Sequence, residues 1–201
     1  MRNSTPPKTL ARIAWTAPTL ALAAAAAAQA HPFHSSQPAI IAGAMHPFTG
    51  LDHLLAMIAV GIWASQMGGR SRWMVPLAFV SVMALGGMLG AAGVALPFVE
   101  QGIIGSVLIL GVVIAAAVRL PLIASVAIVG LMALAHGYAH GAEIPAGTAA
   151  GAYAVGFILA TAALHCAGIV AASFLERRAG VALVRWSGAA ILAAGCWLAF
   201  A

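Results

Sequence analysis

"MVPLAFVSVMALGGMLGAAGVAL", residues 74–96, contains no charged side chain. As a helix rising ~1.5 Å per residue it is long enough to cross the ~30 Å hydrocarbon layer of a bilayer. Comparable runs lie on either side, at residues 51–67, 102–118, 120–140, 148–175 and 186–201. The runs at 51–67 and 186–201 are short for a full crossing, and the run at 148–175 is long enough to tilt. The whole chain has 201 residues, of which 63% are hydrophobic and 6% charged, with a mean hydropathy of +1.04. This composition excludes an ordinary soluble domain. A segment crossing lipid must satisfy its backbone hydrogen bonds internally. The expected fold is therefore all-α, a polytopic membrane bundle of six transmembrane helices.

A net charge of +5 would suggest nucleic acid in a soluble protein, but here the basic residues sit in short clusters between apolar runs, where they act as topology signals. No nucleic-acid partner is expected. Arg2, Lys8 and Arg12 precede an alanine-rich run ending in "AQA" at residues 28–30, the pattern of a secretory signal peptide. Residues 1–30 are read as that signal and residues 31–201 as a single membrane domain; an uncleaved first span is the alternative. Arg70 and Arg72, then Arg119, then Arg177, Arg178 and Arg185 fall in every second connection. Those connections face the cytoplasm by the positive-inside rule. The connections bearing Glu100 and Glu143 lack Lys and Arg and face outward, as does the mature amino terminus, whether or not the signal is removed. The expected location is the bacterial inner membrane. Cys166 and Cys196 lie inside apolar runs and suggest no disulfide framework. Glycine pairs at four-residue spacing, Gly86 with Gly90, Gly137 with Gly141 and Gly147 with Gly151, would let helix backbones approach closely.

Ionisable groups in spanning segments are costly unless paired, hydrated or bound to an ion. In "MHPFTGLDHLLAM", residues 45–57, His46, Asp52 and His53 stand at the outer mouth of the first span. In "HGYAHGAE", residues 136–143, His136 and His140 are four apart and share a helix face, with Glu143 just beyond. His165 lies further in, seventeen residues beyond Thr148, or roughly 25 Å along the fifth span. Blander readings exist for each: Asp52 as a helix cap, His53 bonded to a neighbouring carbonyl, Glu143 as a solvated loop acid, Met45 and Met57 as packing. His31 and His34 belong to an exposed tail that could capture a metal only weakly. Imidazole nitrogen combined with carboxylate oxygen suits divalent nickel, cobalt, copper or zinc rather than magnesium or calcium.

The two motifs together resemble the HupE/UreJ family of membrane proteins associated with hydrogenase and urease gene clusters. Its pattern is carried here by His46, Pro47, Gly50, Asp52 and His53, and by His136, Gly137, His140, Gly141 and Glu143. The resemblance implies a permease for nickel or cobalt supplying enzymes such as hydrogenase or urease. The family often has a longer His-rich exported tail than the "HPFHSSQPAIIAGAM" found at residues 31–45.

The expected function is uptake of Ni2+ or Co2+ through an outer site of His46, Asp52, His53, His136, His140 and Glu143, with His165 as a deeper relay. The ion is cargo, and no permanently bound cofactor is expected. The partners are the metal ion and the bilayer, with a homo-oligomer open. No Gly-x-x-x-x-Gly-Lys-Ser/Thr loop is present, so the ion would move down its gradient, with the membrane potential, or with a partner's energy. Acidification should weaken uptake as imidazoles protonate near their usual pKa of about 6.5. The chain is read as a non-enzyme; a zinc hydrolase within the membrane and a metal sensor or accessory protein are the alternatives.

Overall fold

The computed structural model describes residues 38–201; the expected signal peptide and the tail histidines His31 and His34 lie outside them. The elements are α1 (Ala39–Met45), a 3-10 turn (His46–Phe48), α2 (Leu51–Met67), α3 (Ser71–Ala91), α4 (Val99–Ala115), α5 (Leu122–Ala142), α6 (Ala150–Ala179) and α7 (Val181–Leu198). No strand occurs among the described residues. Helices α2 to α7 correspond to the six expected apolar runs, and the bounds of α2 coincide with the expected ones. By length and composition α3, α5, α6 and α7 can each cross a membrane. Helices α1 and α2 would add a fifth crossing as one span bent by 81°, while α4, with 17 residues, is apolar but shorter. The chain is thus an all-helical membrane protein with four clear spans, and up to five on this measure.

Three departures from the sequence reading have local causes. The run at 74–96 stops as a helix at Ala91 because Gly93 turns left-handed (φ 70°) and Val94 N–H bonds back to the Leu89 carbonyl, a helix-ending motif that glycine accommodates without strain. Helix α4 begins at Val99, three residues before its expected start, and takes Glu100 into its first turn, where a carboxylate complements the helix dipole. The short helix α1 was not anticipated. It packs along α6, with Gly43 against the Tyr153 carbonyl and Gly156 against the Ile40 carbonyl.

Core and lipid faces are both apolar, so a strong one-sided stripe is not needed. Trp63, Phe79, Met57, Met83, Val107 and Leu110 are buried between helices, whereas Ile123, Leu131, Leu159, Val170 and Trp186 point outward. Helix α3 packs most extensively on α5. There a Cβ on Gly86 or Gly90 would strike backbone of α5, and one on Gly137 or Gly141 would strike the Met83 or Gly87 carbonyl of α3. These two glycine pairs are the close-approach contacts the spacing suggested. Gly147 and Gly151 are not: a Cβ at either meets nothing within 4 Å, and Gly147 serves a turn at φ 80°. Because α3 cannot yield backbone at Met83 without shifting, Gly137→Ala should destabilise the protein by about 1–3 kcal/mol, read as earlier thermal unfolding in detergent, while Gly151→Ala should leave the midpoint unchanged.

One end of the bundle gathers the arginines. Trp63 Nε1 donates to the Val118 carbonyl (2.9 Å), Gln66 Nε2 to Ile114 (3.2 Å) and Arg185 Nε to Ala115 (2.8 Å). These side chains bond carbonyls at and just beyond the end of α4, and they bring the end of α2, the Arg119 connection and the start of α7 together. The histidines of α2 and α5 lie toward the opposite end. The cysteines Cys166 and Cys196 are free and exposed.

Candidate metal site

The site is built by the break between α1 and α2. Pro47 occupies the 3-10 turn, where its missing N–H costs nothing. Thr49 closes the turn with both its backbone N–H and its hydroxyl on the His46 carbonyl, at 3.0 and 2.7 Å. The chain then turns sharply and α2 begins, so His46 and His53 approach the end of α5 from two directions. Gly50 is the position before α2, and a Cβ there would stand 2.7 Å from Asp52 Oδ1 and 3.0 Å from His53 Nδ1. A side chain there would have to displace one of that pair.

Asp52 Oδ1 accepts both the backbone N–H and the Nδ1–H of His53, each at 2.7 Å. Asp52 is not the helix cap: that position is Gly50, which carries no side-chain cap bond, and Asp52 lies within the first turn. It tethers the imidazole, because a carboxylate can only accept. His53 has no carbonyl partner on another helix, contrary to the bland alternative, and its Nε2 is buried with no hydrogen-bond partner among the described residues.

Helix α5 supplies His136 and His140, both buried, from adjacent turns of one face. The His140 ring lies 4.5 Å from that of His46 and 4.3 Å from that of His53, and the His53 ring lies 4.8 Å from that of His136. Four imidazoles thus form a continuous column. At its outer end His46 Nε2 is 3.5 Å from Glu143 Oε2. The neighbouring imidazole of His46 holds the Glu143 carboxyl below its usual range, outweighing the opposing effect of partial burial. One donor atom each from His46, His140 and Glu143 lie within 4.8 Å of one another, close enough to meet a single ion. Glu143 is accordingly more than a solvated loop acid, although its side chain remains exposed.

Six of the seven expected residues, His46, Asp52, His53, His136, His140 and Glu143, come together. His165 does not touch them. Its ring packs edge-on against Phe79 at 5.0 Å, and Phe79 in turn lies 5.8 Å from His136. His165 Nδ1 donates to the Met57 carbonyl (2.7 Å), leaving Nε2 buried and without a partner among the described residues. It stands fifteen residues into α6, about 22 Å from the start of that helix, and Phe79 separates it from the column. Met57 is buried packing, as expected; Met45 is half exposed.

Several participants were not singled out from the sequence. Ser106, on α4, places its hydroxyl 2.9 Å from His136 Nε2. A lone polar side chain between residues 102 and 118 was the available signal. Phe157 packs on His140 at 4.1 Å, and Tyr153 lies 5.8 Å from His46 with its hydroxyl buried and unpartnered among the described residues. An apolar cavity of about 340 Å³ reaches His140 between α3, α5 and α6, lined by Met83, Gly87, Gly137, Tyr153 and Phe157 among others.

Chemically, the column holds buried nitrogens with lone pairs, two carboxylates, and apolar walls. Neither ring nitrogen of His140 has a partner among the described residues, nor has Nδ1 of His136. Each buried group of this kind costs about 1–3 kcal/mol if left unmatched, so a local concentration of them calls for a ligand. Imidazole and carboxylate donors suit borderline divalent cations.

No solved structure matches the chain. Protein HupE of Rhizobium leguminosarum bv. viciae is 48% identical over 158 residues, which cover 79% of this chain and 83% of that protein. The HupE / UreJ protein family model matches residues 19–198, a span that includes both histidine motifs and every helix described above. The chain belongs to the HupE/UreJ family.

Proposed function

We propose that this protein carries divalent transition-metal ions, nickel or cobalt, inward across the bacterial inner membrane, supplying metal to enzymes such as hydrogenase or urease. The observation that carries this reading is the outer trio His46, His140 and Glu143, whose donor atoms lie within 4.8 Å and which continues without a gap into His53 and His136. The two carboxylates, Asp52 and Glu143, balance the charge of a divalent ion while the neutral imidazoles replace part of its hydration. His165, whose Nε2 has no partner among the described residues, is the next donor inward.

In this reading α2 and α4 also cross the bilayer, making six spans, with the arginine end in the cytoplasm and the histidine end outside. A divalent ion moving inward at 100 mV gains roughly 4 to 5 kcal/mol, so the potential is a sufficient drive. Nickel and cobalt rather than copper or zinc follow from the family resemblance; the donor set alone accommodates all four.

Nickel uptake by cells expressing the parent or Glu143→Gln, over a pH series, tests the proposal. Ligation needs neutral imidazole and ionised carboxylate. Glu143 is held below the ordinary carboxylate range and stays ionised in mild acid. Uptake should therefore fall on acidification through the imidazoles, while Glu143 stays ionised. Glu143→Gln should lower uptake about tenfold at neutral pH, the effect of losing one charged contact of about 1.4 kcal/mol. Parent cells accumulating no more nickel than cells lacking the protein would refute the function.

A further inference from the structure

Three of the histidines, two in the column and His165 beyond Phe79, are held by different acceptors on different nitrogens. His53 and His165 are each bonded through Nδ1, to the Asp52 carboxylate and the Met57 carbonyl. His136 is bonded through the other nitrogen, Nε2, to Ser106 Oγ at 2.9 Å. Ser106 Oγ also lies 2.6 Å from the Ile103 carbonyl, which can only accept, so the single hydroxyl proton is committed there. Toward His136 the Ser106 oxygen is consequently the acceptor. His136 must then carry its proton on Nε2 and its lone pair on Nδ1. That Nδ1 is buried and has no partner among the described residues, in a ring that touches His53 and stands at the inner end of the imidazole column.

We infer that Ser106 is a positioning residue for the cation path: its hydroxyl, locked onto the Ile103 carbonyl, fixes His136 as the Nε2–H tautomer and so presents Nδ1 as the nitrogen that meets the ion. The inference about the ion rests on the transport reading above; the tautomer itself does not. Ser106 is buried and belongs to α4, which thereby contributes to the site although it supplies no ligand. Partners that orient metal-binding histidines typically change metal affinity or activity 10- to 100-fold when removed.

The test combines a nitrogen spectrum with kinetics. In detergent- or lipid-embedded protein labelled with 15N-histidine, the His136 resonances, identified by their loss in His136→Gln, should show a protonated Nε2 and a bare Nδ1, and added nickel should perturb Nδ1. In Ser106→Ala the Nε2 proton loses its acceptor, so the spectrum should shift toward a mixture of tautomers. The apparent KM for nickel uptake should rise at least about tenfold at equal membrane levels. A protonated Nδ1 on His136 in the unaltered protein overturns the inference. So does Ser106→Ala protein whose spectrum and KM both equal the parent's. Should the unaltered protein take up no nickel, the transport reading fails, while the nitrogen spectrum still decides the role of Ser106.

Discussion

Replacing His140 by leucine should abolish nickel uptake, by about a hundredfold or more, without unfolding the protein. The magnitude follows from position: His140 is the only ring in contact with both His46 and His53 among the described residues, at 4.5 and 4.3 Å, and it belongs to the outer trio with Glu143. On the proposed reading its removal takes out a ligand directly, a larger loss than the 10- to 100-fold typical of residues that merely orient ligands. The expectation about stability runs the other way. His140 is buried and neither of its ring nitrogens is hydrogen-bonded among the described residues, so exchanging it for an apolar side chain of similar volume removes an unmatched polar group worth about 1–3 kcal/mol. Thermal unfolding in detergent should therefore be no earlier in His140→Leu than in the parent, while uptake at equal membrane levels is lost. Retained uptake would exclude His140 as a ligand; earlier unfolding would mean that the imidazole serves packing.

Asp52→Ala should lower uptake about 10- to 100-fold. The carboxylate holds the His53 ring and the first turn of α2 at once, through two 2.7 Å contacts, so both the direction of Nε2 and the charge balance of the site depend on it. Loss of the hydrogen bond to the His53 N–H should also cost about 1 kcal/mol of stability. Asp52→Asn keeps an oxygen acceptor in nearly the same place and loses only the charge, so its uptake should fall between those of the parent and Asp52→Ala. Concentration-dependent nickel uptake with matched membrane levels checks the order. Equal uptake in all three proteins would remove Asp52 from the account.

The helices were legible because an uncharged run long enough to cross lipid has few alternatives; α2 through α7 occupy the expected stretches, with ends moved by local chemistry such as the left-handed Gly93. Helix α1 was not legible. Its seven residues are too few to read as a helix, and its place depends on the reciprocal contacts of Gly43 and Gly156 with backbone of the other helix. The same limit applies to Gly147 and Gly151, whose spacing imitates a packing pair but which face no backbone.

The site was legible as a set of residues and not as a geometry. The four-residue spacing of His136 and His140 puts both on one face of any helix. By contrast, the meeting of His46 with Glu143 depends on the 81° bend before α2, and that of His53 with His136 on how the start of α2 lies against the end of α5, neither of which any periodicity records. Ser106 escaped notice because a single serine in a membrane helix is usually satisfied by its own helix, as its bond to Ile103 illustrates. Only the arrangement of α4 beside α5 brings its oxygen to His136. The separation of His165 by Phe79 is likewise a matter of packing between three helices.

The most direct test of the central claim is radiolabelled nickel uptake into liposomes that contain this purified protein alone, with an inside-negative potential imposed. The account predicts saturable accumulation above that of protein-free liposomes, lost in His140→Leu and reduced when the potential is collapsed. Accumulation equal to that of protein-free liposomes, from protein that is folded and correctly inserted, would contradict it.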